Sequence, residues 1–156
     1  MSAEALERAL GFAYRFLGHR DRTVAEIRAH LAKKGVEEAL IDTVVEQLTE
    51  QGYLDDARFA QRFADDRRRL DGWGADRIER KLREHGVPGE HVSAAVAGFD
   101  PGTELDAAIE ALRRRYREPP ADDRDRDRAL GFLVRKGYDL EVAYDAIRAI
   151  SRAEAA

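Results

Sequence analysis

Cysteine is absent from this 156-residue sequence, and its absence removes several classes of chemistry at once. Without a thiol there is no disulfide, no cysteine nucleophile and no thiolate ligand for a metal ion. Long apolar runs are absent too, because no uncharged apolar stretch approaches the roughly 18 residues that suggest a membrane span. Near the N-terminus, Glu4, Glu7 and Arg8 interrupt what would be the apolar core of a signal peptide. We therefore expect a soluble, cytoplasmic protein.

Lysine is scarce as well. Of the 27 basic residues only Lys33, Lys34, Lys81 and Lys136 are lysines, and the rest are arginine. Arginine suits bidentate recognition of phosphate or carboxylate, although GC-rich coding would produce the same bias. The formal net charge is −4, so the whole molecule is not a general nucleic-acid binder of the basic kind.

One short pattern, in contrast, occurs three times at constant spacing. An apolar residue is followed four residues later by leucine and four residues after that by glycine, at Ile27-Leu31-Gly35, Ile78-Leu82-Gly86 and Ala129-Leu133-Gly137. Successive glycines are 51 residues apart. A fixed period of this size indicates a supersecondary unit used repeatedly, each copy packed on its neighbour. Such a stack offers a long surface to a partner rather than a deep catalytic pocket.

The apolar residues follow helical periodicity, and no alternating strand pattern is present. Thr23 and Glu26 form a capping-box pattern that predicts a helix start. Gly35, Gly86 and Gly137 are predicted to end helices in the left-handed conformation. The sequence therefore predicts an all-α fold of nine helices. They form three tandem, helix-turn-helix-like repeats of three helices in an elongated, curved stack, with repeats at residues 1–53, 54–99 and 100–156.

Catalysis has little support. The four histidines, His19, His30, His85 and His91, show no metal-ligand spacing with one another, and no glycine-rich phosphate loop of the Gly-x-x-x-x-Gly-Lys type is present. Paired aspartates such as Asp55-Asp56 occupy adjacent helical positions, which point in different directions. Helix capping explains these pairs better than acid–base chemistry does. We expect no enzyme, no catalytic residue, no metal site and no cofactor.

Three-helix units with a glycine turn are also typical of DNA-reading helix-turn-helix domains, whose last helix enters the major groove. Here the last helix of each predicted repeat is acidic: the first carries Glu37, Glu38, Asp42, Glu46 and Glu50. Phosphates lining the groove would repel such a helix. Sequence-specific DNA recognition by these helices is therefore disfavoured.

The basic residues are concentrated in the first two helices of the middle repeat. Arg58 and Arg62 share a helix face, as do Arg77 and Lys81, and like charges at this spacing cost a few tenths of a kcal/mol. An anionic partner would offset that cost, but a mixed, solvated surface is an equally open interpretation. Trp73 is either a core anchor or a contact residue. A second basic cluster, Arg113 to Arg115 with Arg117, lies near the end of the seventh helix.

Several segments together resemble the RecX family of bacterial recombination regulators, and the resemblance covers essentially the whole chain. The segments are Gly52-Tyr53-Leu54-Asp55-Asp56-Ala57-Arg58-Phe59-Ala60, Phe63, Arg67, Gly72-Trp73-Gly74, Arg77-Ile78, Leu82, Gly86-Val87, Arg115-Tyr116-Arg117-Glu118-Pro119, Phe132-Leu133 and Gly137-Tyr138.

The resemblance implies a regulator of the RecA recombinase in DNA repair, homologous recombination and the SOS response. It would bind as a monomer in the groove of the RecA–DNA filament, limiting strand exchange and ATP turnover. Direct contact with DNA in the filament stays open. The family's basic surface would fall on Arg58, Arg62, Arg67, Arg69 and Arg77, and we add Lys81 from the charge pairing. The residues alone also allow a module that binds DNA through the central arginines, or an adaptor for another helical protein.

Overall fold

The computed structural model describes residues 2–155, and all regular structure in that range is α-helical. The prediction of an all-α chain with nine helices is confirmed for this range. None of these helices combines the length and the apolarity needed to cross a membrane. The helices are α1 (Ala3–Leu17), α2 (Val24–Lys33), α3 (Glu38–Glu50), α4 (Asp56–Asp71), α5 (Ala75–Glu84), α6 (Gly89–Val96), α7 (Pro101–Arg115), α8 (Asp123–Lys136) and α9 (Leu140–Ala155).

Local sequence signals set the helix starts. The capping box at α2 forms as predicted: the Thr23 side chain accepts from the Glu26 backbone N–H, and the Glu26 side chain accepts from the Thr23 N–H. Asp55 accepts from the Arg58 backbone N–H at 3.0 Å and starts α4 in the same way. Asp100 caps α7, and Pro101 fills its first position, where the missing N–H costs nothing.

The chain divides into two compact units, the first comprising residues up to Gln61 together with Leu82–Val92. In this first unit, α1, α2 and α3 pack around a core that includes Ile27, Leu31, Val44 and Leu48, all of them fully buried. Each such side chain contributes about 1.5–3 kcal/mol relative to an exposed position. The repeated Ile-x-x-x-Leu pattern thus lies on the buried face of α2.

The second unit comprises Arg62–Lys81 and the residues from Ser93 onward. Its core forms between α7, α8 and α9, with Ala108, Leu112, Leu133, Ala143 and Ala146 nearly or fully buried. Small alanines at these positions allow close approach of the three helices. The residues of the middle predicted repeat are shared between the two units, and the boundaries at residues 53 and 99 stay predictions.

A hydrogen bond to a backbone carbonyl recurs with the same spacing in each unit. In the first unit the Thr23 hydroxyl donates to the His85 carbonyl at 2.6 Å, across 62 positions. In the second unit the Gly74 N–H donates to the Lys136 carbonyl at 2.8 Å, again 62 positions along. In both contacts, the end of the middle helix of one repeat packs against the start of the middle helix of the preceding repeat. The 51-residue period therefore extends from the helices to the contacts between them.

Gly137 shows why glycine is needed at this junction. It ends α8 with φ +106°, and its carbonyl accepts from the Asp76 N–H at 3.1 Å. A Cβ added there would overlap Arg77, with the Arg77 backbone nitrogen only 2.6 Å away. Gly35 and Gly86 also have positive φ, at 82° each, so the predicted left-handed helix ends are confirmed. A Cβ on Gly35, however, would meet nothing within 4 Å.

The glycines should therefore differ in their tolerance of alanine. Gly35→Ala should cost about 1 kcal/mol of unfolding free energy, the penalty of a left-handed alanine. Gly137→Ala adds steric overlap to the same strain and should cost roughly 2–5 kcal/mol. Urea denaturation of the two variants and the parent chain measures both values. Equal losses would show that the junction at Gly137 is not closely packed.

Candidate partner-binding surface

The six residues predicted to bind a partner lie on two helices. Helix α4 carries Arg58, Arg62, Arg67 and Arg69, while α5 carries Arg77 and Lys81. Arg58 belongs to the first unit, where its guanidinium donates to the Gly52 carbonyl at 2.6 Å. The other five belong to the second unit, and among them the structure brings Arg67 and Arg77 together.

Arg67 and Arg77 both contact the ring of Trp73. The guanidinium carbon of Arg77 lies 4.1 Å from the ring centroid, and that of Arg67 lies 5.9 Å away. Phe63 packs edge-on against the same ring at 6.0 Å. Cation–π contacts at this range are each worth about 0.5–1 kcal/mol at exposed sites and more when desolvated. Trp73 is half-buried, so it is partly a packing residue and partly available for contact. We call Arg67, Trp73 and Arg77 the tryptophan cluster.

The cluster's arginines also have polar partners that fix their positions. Arg67 forms an ion pair with Asp71 at 2.5 Å, and Arg77 donates to the Arg135 carbonyl at 3.1 Å. Arg77 is half-buried. Its orientation is set by the junction at Gly137, because Arg135 lies in the last turn of α8.

Arg62 and Arg69 are exposed, and Lys81 is half-buried. Arg69 lies near Asp66, at 3.4 Å. Two positions along a helix correspond to a rotation of about 200°, so Arg67 and Arg69 face different sides of α4. Arg67 and Arg69 therefore do not belong to one continuous cluster.

Arg68, which lies between them, enters the interior of the second unit. Its guanidinium forms a close ion pair with Glu104, whose side chain is 10% exposed. The other Glu104 oxygen accepts from the Ala75 backbone N–H at 3.2 Å, at the start of α5. Arg68 also stacks on Phe99, with its guanidinium carbon 4.0 Å from the ring centroid. The pair joins α4, α5 and α7 within this unit.

Tyr138 completes this buried network. Its hydroxyl donates to the Gly72 carbonyl at 2.7 Å, which holds the turn that precedes Trp73. Burial raises the pKa of Tyr138 to about 12, against the opposing effect of nearby Arg68. The phenol therefore stays protonated and remains a donor throughout the physiological range.

Sequence analysis did not assign Arg68 or Glu104 a role, although one signal was available. Glu104, Ala108, Ala111 and Leu112 follow helical spacing and share the buried face of α7. A carboxylate on an apolar helix face requires a paired charge. Nothing in the sequence, however, singles out Arg68 as its partner from the neighbouring arginines.

The described residues contain no group of three or more side chains that could hold a metal ion. His85, one of the histidines considered above, lies in the first unit with its Nδ1 3.3 Å from a Glu26 carboxylate oxygen. This contact gives His85 a structural environment at the end of α5.

Comparison with known proteins agrees with this architecture. Three family models match, described as the first, second and third three-helix domains of RecX, at residues 9–48, 55–96 and 103–147. The chain is 36% identical over 151 residues to the regulatory protein RecX of Mycolicibacterium vanbaalenii, covering 92% of this chain and 82% of that protein. It is 34% identical over 151 residues to RecX of Deinococcus radiodurans, covering 95% and 71%.

The crystal structure of RecX from Lactobacillus salivarius has the same fold, with a TM-score of 0.81 at 17% identity over 96% of this chain and 99% of that one. Fold and surface first define a class: a protein of tandem three-helix repeats with arginines stacked on a tryptophan. Within that class, the chain belongs to the RecX family of regulatory proteins.

Removing Glu104 should destabilise the chain strongly. Glu104→Ala leaves Arg68 largely buried without its counter-charge, and breaking a buried pair in this way costs about 3–5 kcal/mol. Asp106→Ala is the matched control, since Asp106 is exposed on the same helix and should change stability by less than about 0.5 kcal/mol. Urea denaturation distinguishes the two. Similar small losses would mean that Arg68 finds solvent or another partner.

Stability should fall at alkaline pH because of Tyr138. Its pKa is raised in the folded chain, so the stabilisation is fully present below about pH 10 and is lost as the pH rises towards 12. The slope should approach about 1.4 kcal/mol per pH unit in that window. Tyr138→Phe should lose about 1 kcal/mol at neutral pH and show a shallower alkaline slope. Urea midpoints measured from pH 9 to 11.5 test this, and parallel curves would contradict it.

Proposed function

We propose that this chain is a non-enzymatic regulator of the RecA recombinase that binds in the groove of the RecA–DNA filament and limits strand exchange and ATP turnover. Membership of the RecX family carries the proposal, together with the family resemblance that implies RecA as the partner. The proposal includes a cytoplasmic, monomeric protein acting in recombinational DNA repair.

The tryptophan cluster supports a protein-binding role. Tryptophan and arginine are the residues that most often dominate the energy of protein interfaces. Arg67 and Arg77 are held by the Trp73 ring, Asp71 and the Arg135 carbonyl, so less side-chain entropy is lost when a partner binds. Their planar guanidinium groups suit carboxylates on a protein surface. We propose that Arg58, Arg62, Arg69 and Lys81 extend this surface.

The absence of enzyme activity is part of the proposal. The paired aspartates that resemble acid–base dyads cap helices instead: Asp55 accepts from the Arg58 N–H, and Asp122 accepts from the Asp125 N–H at 2.9 Å. Helix capping accounts for these two carboxylates without an acid–base role.

A second candidate is a module that binds DNA alone through the central arginines. One observation favours it, because arginine beside an aromatic ring is also found where proteins stack the bases of single-stranded DNA. Direct DNA binding would weaken with salt by about 0.7 log units per contacted phosphate per log unit of salt concentration for single strands. Fluorescence anisotropy with a labelled oligonucleotide, in the absence of RecA, measures this dependence.

Charge reversal on the proposed surface should abolish inhibition of RecA. The variant Arg62→Glu with Arg77→Glu places acidic side chains against a partner surface that we expect to be acidic, which should weaken binding by tenfold or more. The assay is the rate of ATP hydrolysis by RecA on single-stranded DNA, titrated with parent and variant. Because Arg77 has contacts within the fold, the single variant Arg62→Glu, at an exposed position, is measured alongside it.

The matched control reverses two exposed arginines elsewhere, Arg8→Glu with Arg124→Glu, and keeps the net charge change equal. It should inhibit RecA as the parent chain does. Circular dichroism melting verifies that every variant is folded. Equal inhibition by all chains would remove Arg62 and Arg77 from the interface, whereas no inhibition by the parent chain would refute the proposed function.

A further inference from the structure

An open groove of about 710 Å³ lies in the second unit, between the end of α4, the outer face of α7 and α8. Its volume falls within the range of clefts that bind ligands. None of the tryptophan-cluster residues lines it. The groove is therefore distinct from the tryptophan cluster and shares only Arg69 with the wider surface proposed above. Its role does not depend on RecA being the partner.

One part of the groove is apolar. Ala111 is buried at its base, Ala107 and Phe132 are half-buried, and Leu70 is 57% exposed at its edge. Contact with water does not stabilise the exposed apolar surface of Leu70. About 25 cal/mol per Å² would be recovered if a partner covered it.

Basic side chains surround this apolar part. Arg69, Arg114, Arg115 and Lys136 line the groove together with Asp71, Asp106 and Glu110. Arg68 also lines it, but its charge is balanced by buried Glu104. Asp71 is neutralised by Arg67 at 2.5 Å, from outside the groove. Arg114 pairs with Glu110 at 2.6 Å, and Arg69 lies 3.4 Å from Asp66, which is outside the groove. Arg115 and Lys136 then leave a basic excess over Asp106, and the groove contains two of the arginines from the end of α7 that the proposed function does not use.

The mixture of groups favours a peptide over a nucleic acid. The apolar wall makes no favourable contact with a charged sugar–phosphate backbone, and it is the feature that separates the two kinds of ligand. A peptide suits both the apolar wall and the basic residues of the groove, because it supplies an apolar side chain and carboxylates at fixed spacing. Lys136 already donates to the Asp71 carbonyl at 2.9 Å, so it defines one end of the groove as a fixed positive charge.

We propose that this groove binds an acidic peptide segment of a partner protein. One bulky apolar side chain of the segment lies against Leu70, Ala111 and Phe132, and its carboxylates pair with Arg69 and Arg115. The basic residues give specificity and association rate, and burial of the apolar side chain gives most of the affinity.

The probe is a displayed library of random 12-residue peptides, selected on the 156-residue chain. The enriched peptides should carry several Asp or Glu residues around one large apolar residue. The most enriched peptide is then synthesised with a fluorophore, and its dissociation constant is measured by anisotropy. Arg115→Glu should weaken binding by roughly tenfold, and Leu70→Ser should weaken it by roughly five- to tenfold through lost apolar contact.

Two control variants match these changes outside the groove. Arg113→Glu alters the same charge in the same turn of α7, and Leu140→Ser alters a leucine that is 56% exposed on α9. Both should bind within twofold of the parent. Circular dichroism melting checks the fold of all four.

Failure to enrich any peptide, enrichment of peptides without acidic residues, or equal binding by all four variants would overturn the proposal. A single-stranded oligonucleotide is measured in parallel on the same chains. If it binds, loses affinity with Arg115→Glu and is indifferent to Leu70→Ser, the groove is a nucleic-acid site and the peptide proposal is wrong.

Discussion

The arrangement of the second unit depends on one close approach, the end of α8 against the start of α5. The Gly74 N–H donates a hydrogen bond to the Lys136 carbonyl at 2.8 Å, and the Asp76 N–H donates one to the Gly137 carbonyl at 3.1 Å. Unpaired N–H groups at a helix start and unpaired carbonyls at a helix end thus satisfy each other, and their dipoles attract. The two backbones are too close together for a side chain to fit between them. Trp73 and Arg77 flank Gly74 on either side, so this contact also determines where the tryptophan cluster lies.

The buried pair of Arg68 and Glu104 has a different role. Desolvating two charges is costly, so such a pair adds little net stability compared with apolar side chains of similar size. It does impose geometry: Glu104 also accepts from the Ala75 N–H, and Tyr138 holds the Gly72 carbonyl. The turn from Gly72 to Gly74 is therefore fixed at both ends by polar contacts. Apolar side chains in place of Arg68 and Glu104 could fill the same space, but they would not fix the conformation of this turn. The turn determines the position of Trp73.

Sequence patterns predicted the features that depend on local physics. The capping box at Thr23 and the left-handed glycines follow from contacts within a few residues or from steric limits on φ. The 51-residue period is visible as a repetition of the sequence itself. The candidate surface was less predictable, because it depends on which residues meet across the fold. Like-charge spacing paired Arg77 with Lys81, whereas the structure stacks Arg77 on Trp73. The groove could not be predicted either, since its walls come from α4, α7 and α8, and no local pattern indicates their approach.

The three consecutive arginines of α4 show why composition is a poor guide to function here. Each helical position turns by about 100°, so Arg67 contacts Asp71 and Trp73, Arg68 pairs with buried Glu104, and Arg69 lines the groove. Whatever the origin of these arginines, GC-rich coding or selection, each environment uses a different property of the side chain. Lysine could replace Arg69 with little structural consequence, because only charge is used there. At Arg68 it would lose the stacking on Phe99 and the contact with the Tyr138 hydroxyl at 3.4 Å, since an ammonium group lacks the planar fork that makes both. The requirement for arginine is therefore strongest at Arg68, whose guanidinium makes its contacts within the fold.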